Sequence, residues 1–142
     1  MTNKNQKPSV LSYTLNEFKD QLKDRDIPSY VGEQVFQWIY KHFIFDFNQM
    51  TNISKKVRYI LNDHYSIISI ELEDQEFSKD HHATKYGFKL KNDHVIETVL
   101  LNDRNRYTIC VSSQSGCALA CRFCVTGLMG FKSNLSVDEI VS

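Results

Sequence analysis

The chain has 142 residues, 42% hydrophobic and 24% charged, which excludes a disordered chain and sets one domain, or two small ones, as the expectation. Seventeen basic residues balance seventeen acidic ones, so net charge points to no nucleic-acid partner and any basic surface must be local. The polar start Met1–Pro8 lacks the apolar core of a signal peptide, and no run reaches the ~18 apolar residues of a membrane span. A cytoplasmic protein without membrane contact is expected, with thiols kept reduced.

Residues 1–12 read as a mobile tail. Thr14-Leu-Asn-Glu17 is a capping box, followed by Leu15, Phe18 and Leu22 on one helical face. Asp26-Ile-Pro28 ends that helix, because proline disfavours helical backbone in the residue before it. A second helix over about Val31–Phe43 turns Val31, Val35, Phe36, Ile39, Tyr40 and Phe43 inward, with Trp38 at the edge. A third begins near Ser54, with Val57, Ile60 and Leu61 facing in and Tyr65 following. The short links predict a helical unit over 13–65. Its aromatic run (Phe36, Trp38, Tyr40, Phe43, Phe45, Phe47) reads as core more readily than as a base-stacking surface.

From Ser66 the period changes to two. Ile68 to Glu73 predicts a half-buried strand, Asp74 to Ala83 a polar loop, and Tyr86, Phe88 and Leu90 a second strand. Asn92-Asp93 turns, His94–Leu101 is a strand, Asn102–Asn105 turns, and Arg106–Ser112 is a strand. Together they form a meander, with a β extension over 66–105. Adjacent His81 and His82 point to different sides and make a poor chelating pair. Ser136-Val-Asp-Glu139 is a second capping box, opening a last helix.

All four cysteines lie between Cys110 and Cys124. Cys117, Cys121 and Cys124 are spaced C-x3-C-x2-C, with Phe123 before the last. Three thiolates on one loop suit three irons of a cubane [4Fe–4S] cluster, leaving one iron free for substrate. A structural zinc is the alternative, with Cys110 or a distant His as fourth ligand, although zinc ligands usually come as two separated pairs.

The run from Cys110-Val-Ser-Ser-Gln through Gly-Cys-Ala-Leu-Ala-Cys-Arg-Phe-Cys-Val-Thr-Gly to Gly-Phe-Lys-Ser-Asn-Leu-Ser-Val-Asp-Glu-Ile resembles the bacterial radical S-adenosylmethionine (SAM) dual-specificity RNA methyltransferases. The resemblance extends from about Tyr13 to Ser142, and members of that family continue far beyond this position. It implies methyl transfer from SAM to C2 of an adenine in 23S ribosomal RNA and tRNA, by way of a methyl-cysteine and a covalent RNA intermediate. The Ala-Leu-Ala between Cys117 and Cys121 leans toward C2 rather than C8 chemistry. The implied fold is the α+β N-terminal part of an α/β enzyme. It comprises a helix-hairpin-helix-like domain, a small antiparallel meander, and, over 106–142, the first strand, cluster loop and start of the first helix of a partial (β/α)6 barrel.

The resemblance also implies roles. Cys117, Cys121 and Cys124 would ligate the cluster, and Phe123 would lie against the SAM adenine. Cys110 would take the proton from the adenine carbon and join a transient disulfide; from strand placement alone it is equally a buried thiol. Glu97 interrupts an apolar strand and would meet the target base, with an outward surface carboxylate as the open alternative. Lys132 and the Lys55-Lys56-Val57-Arg58 cluster suit phosphate contacts or a solvated face. An electron donor is implied and a monomer is expected, while the isolated chain is expected to be inactive. A non-catalytic RNA- or partner-binding module with a structural zinc is the competing function.

Overall fold

Thr14 accepts a hydrogen bond from the Glu17 amide and the Glu17 carboxylate accepts one from the Thr14 amide (2.8 Å), so α1 (Leu15–Lys23) opens on a complete capping box. It belongs to the first of two units into which a computed structural model, describing residues 7–104 and 106–142, divides the chain: Met1–Ile68 and Ser69–Ser142.

In the first unit, α1 packs on α2 (Tyr30–His42), and α3 (Lys55–His64) closes the core. Phe18, Leu22, Val35, Ile39, Met50 and Leu61 are fully buried there. Phe18 meets the Tyr65 ring edge-on at 5.3 Å, a favoured aromatic geometry. The inward face of α2 is narrower than its periodicity suggests. Phe36 and Trp38 are half-buried, whereas Tyr40, Phe43 and Phe45 are exposed. Phe43 ends the helix in the left-handed region (φ 54°), which turns its ring outward as the Ile44 amide bonds back to the Trp38 carbonyl.

The start of the chain differs from the expected tail over its described part. Residues 1–6 lie outside the described residues. Ser9, Val10 and Leu11 are buried, in a 3-10 turn at Val10–Ser12. The Val10 amide donates to the Ser66 carbonyl, the Ser66 amide to Pro8, and the Ser9 hydroxyl to Ile67 (2.6 Å). Two apolar side chains and satisfied backbone groups thus hold this segment against the strand-like end of the unit.

The second unit is built on an antiparallel meander, β1 (Glu71–Phe77), β2 (Ala83–Lys89), β3 (Val95–Asp103) and β4 (Arg106–Cys110), in that order across the sheet. β1 begins later than the alternation suggests, extends through the polar residues read as loop, and is exposed throughout. Backbone pairing with β2, from Glu71 opposite Lys89 to Phe77 opposite Thr84, sets its extent rather than burial. A small core of Leu90, Ile96 and Leu135, with Ile70 and Phe88 against it, packs at β2 and β3 and leaves β1 and β4 exposed.

The helix α5 (Val137–Val141) starts on the capping box of Ser136 and Glu139. Buried Asp138 accepts from the Ser69 hydroxyl (2.5 Å) and from Lys91 (3.4 Å), which ties α5 to the sheet side of the unit. Among the described residues no helix is long and apolar enough to cross a membrane.

Candidate functional site

The thiols sit on a loop with a closed neck. After β4, Gln114–Ser115 (β5) pairs antiparallel with Ser133–Asn134 (β6), Gln114 opposite Asn134 and Ser115 opposite Ser133. The Lys132 amide donates to Ser115 (2.9 Å) and the Leu135 amide to Ser113 (3.0 Å). Gly116 and Gly130 both have positive φ, 72° and 68°. A Cβ built on Gly116 would lie 1.7 Å from the Gly130 carbonyl oxygen, so only glycine lets the two strands of the neck meet.

Inside the neck the backbone folds back on Cys121. The Cys124 amide donates to the Cys121 carbonyl (3.0 Å), and Cys124 then caps the four-residue helix α4 (Val125–Leu128). Gly127 packs against that turn, where a Cβ would approach the Cys121 amide nitrogen to 2.9 Å. The backbone amide of Gly127, with smaller help from the Thr126 amide and hydroxyl, holds the Cys124 thiol below its ordinary pKa against the opposing effect of burial. A thiolate is the form that binds metal.

Cys117, Cys121 and Cys124 are half-buried, Cys110 is exposed, and all four are free thiols, with no disulfide. Among the described residues no three His, Cys, Asp or Glu side chains are gathered as the ligand set of a single ion, which would need sulfurs about 2.3 Å from a common centre. A cubane iron–sulfur cluster would take one thiolate at each of several corners, and Cys117, Cys121 and Cys124 are thiols of the kind it binds. The loop carries three free thiols, and the Cys124 pKa is lowered chiefly by the Gly127 amide.

Phe123 is 92% exposed, and Leu119, Val125, Leu128 and Met129 are exposed around it. The Phe123 ring is thus left open to solvent.

The register of the sheet brings the two remaining candidates to one face. Cys110 stands opposite Val99, and Glu97 lies two residues before Val99 on the same strand. Directly paired and alternate residues share a face, so Cys110 and Glu97 do. Glu97 points outward and its carboxylate meets Lys85 Nζ at 3.2 Å; the same ammonium meets Glu76 at 3.0 Å. These two carboxylates, Glu76 first, raise the Lys85 pKa. Lys85 was not singled out by sequence; the alternation of β2 would have placed it on this face only once its register with β3 was known. Of the two histidines, His82 bonds the Asn102 carbonyl through Nδ1 (3.0 Å) and His81 lies near Phe77 (6.4 Å between rings).

Residues 9–67 match the family model described as "Ribosomal RNA large subunit methyltransferase N-terminal domain". The chain is 46% identical over 132 residues to a probable dual-specificity RNA methyltransferase RlmN of Aquifex aeolicus, and 41% identical over 134 residues to one of Fervidobacterium nodosum. These alignments take in 93% and 94% of this chain but only 37% and 38% of the relatives. A crystal structure of a radical SAM methyltransferase from Sphaerobacter thermophilus superposes with a TM-score of 0.88 at 32% identity, over 94% of this chain and 39% of that one. The antiparallel sheet following the helices is common ground with that structure, and over these residues the chain resembles the N-terminal part of the dual-specificity RNA methyltransferase family.

Proposed function

We propose that the chain is the N-terminal part of a radical SAM methyltransferase that modifies adenine C2 in 23S ribosomal RNA and tRNA. The observation that carries this reading is the thiol loop, with three free cysteines inside a neck where Gly116 lies too close to the Gly130 carbonyl for any Cβ. Cys117, Cys121 and Cys124 hold three irons of a [4Fe–4S] cluster. With a cluster and SAM bound, the chemistry supplied there would be one-electron cleavage of the sulfonium, with an external electron donor.

The chain's own residues position and protect. The Gly127 and Thr126 amides keep Cys124 ready as a ligand, and the tight turn at Cys121 fixes the spacing of the last two thiols. Phe123, open to solvent, offers a ring to the SAM adenine. On the sheet face Cys110 accepts the adenine proton, being exposed and on the same side as Glu97. Lys85 meets the Glu97 carboxylate at 3.2 Å, and that carboxylate accepts from an adenine amino group. The first unit acts as the helix-hairpin-helix-like accessory domain, the meander as the β extension, and β4 with the thiol loop and α5 as the opening of a (β/α)6 barrel. Such an enzyme works in the cytoplasm, where its thiols stay reduced.

The alternative is a structural zinc with Cys110 or a distant His as fourth ligand; Cys110 pairs in the β3–β4 ladder opposite Val99. Anaerobic reconstitution with iron and sulfide is the test. Uptake of a cubane cluster, seen as broad iron–sulfur absorbance, is the expected result. One tightly held zinc per chain with no such absorbance would overturn the reading.

A further inference from the structure

The outward stripe of α3 takes no part in the thiol chemistry, and packing does not account for its residues. Lys55, Arg58, Tyr59 and Asn62 follow one another at helical spacing, and with Asn48 they line an open groove of about 340 Å³. Arg58 donates through Nη1 to the Asn48 carbonyl, while its Nε is buried without a partner. The Asn62 amide nitrogen donates to Asn48 Oδ1 (3.1 Å) and to the Arg58 carbonyl (3.0 Å), which fixes one wall. Lys7 adds a third cation by donating to the Asn62 carbonyl (2.6 Å).

No carboxylate lines this groove. Two acidic side chains lie near in sequence: Asp46 accepts from the Asn48 amide (2.9 Å) and from Asn48 Nδ2 (3.1 Å), so it is tied to the Asn48 wall, and Asp63 lies 3.7 Å from His64. The first turn of α3 carries Lys55 and Lys56 and no acid, where the helix dipole favours a negative charge. Tyr59, 75% exposed, presents an open ring among these cations. Cations, a free aromatic face and fixed amides select a ligand that is both anionic and flat. Phosphate alone would leave Tyr59 unused, and a duplex keeps its base faces stacked away.

We propose that this groove binds an unpaired nucleotide of an RNA strand, with the base stacked on Tyr59 and the flanking phosphates held by Lys55, Arg58 and Lys7. The proposal rests on the reading of the chain as part of an RNA-modifying enzyme and names the hold that its first unit has on the RNA.

The test is fluorescence anisotropy of the 142-residue chain with a fluorescein-labelled, unstructured oligoribonucleotide, its duplex, and inorganic polyphosphate as competitor. The single strand is expected to bind more tightly than the duplex. Tyr59→Ala should weaken it about 5- to 150-fold, the loss of one stack, while Tyr59→Phe keeps the affinity. Lys55→Ala should weaken binding and lower the slope of log K against log salt by about 0.7. Wild-type affinity in Tyr59→Ala, equal affinity for the duplex, full displacement by polyphosphate, or no binding of the single strand by the wild type would each overturn the proposal. Iron uptake measured on the same preparations stays normal if only the groove is wrong, and fails if the enzymatic reading is wrong.

Discussion

Single residues separate the two metal chemistries. Cys110 belongs to a strand and the other three thiols to a loop, so Cys110→Ala is expected to leave reconstituted iron unchanged, whereas Ser at Cys117, Cys121 or Cys124 should each lower it. Iron assay with absorbance reads both, and loss of metal in Cys110→Ala would favour the four-cysteine zinc site. Gly116→Ala should be as damaging as losing a ligand, because the new Cβ collides with the Gly130 carbonyl and the backbone keeps a positive φ. Iron uptake should fall severalfold while the sheet keeps its circular dichroism; normal uptake would mean that the neck does not organise the loop. The triplet itself was legible because its spacing is local. For Glu97 the sequence left a base contact and an outward surface carboxylate open, and its ion pair with Lys85 depends on the β2–β3 register.

Among the elements, the helices were the readable part. Both capping boxes stand where Thr14–Glu17 and Ser136–Glu139 put them, because the reciprocal bonds span three residues and need no tertiary partner. β1 was misplaced because its pairing with β2 carries polar residues that alternation counts as loop. The aromatic run was half misread, because a left-handed Phe43 turns the chain before its ring can pack. Thr14→Ala should cost about 1 kcal/mol, a fall in Tm of about 4–8 °C for a unit of this size, read by thermal melting. The Thr14 amide, then its hydroxyl, holds the Glu17 pKa below the ordinary value. A depressed carboxyl contributes its stability above the unfolded pKa and loses it as pH falls through the folded one. Acid melting should therefore be shallower in Glu17→Gln than in the wild type, and parallel curves would show the box to be silent.

On the scale of the molecule, each unit has its own buried cluster, one of helices and one of the sheet with Leu135. The Met1–Ile68 unit is expected to fold alone as a helical body, and a random-coil circular dichroism spectrum of that fragment would show that it does not. The thiol loop has a further consequence for handling the protein. It presents Leu119, Phe123, Leu128 and Met129 to solvent on a segment with little regular backbone pairing between its two glycines. These are side chains that chymotrypsin cuts after, and such a loop is where nicking starts. Limited digestion of the metal-free chain should therefore cleave first inside the loop, leaving α1, α2, α3 and the meander on one large piece. Loading with iron and sulfide should slow that cut while leaving cleavage elsewhere unchanged. Protease resistance then becomes a readout of cluster occupancy in preparations too dilute for absorbance.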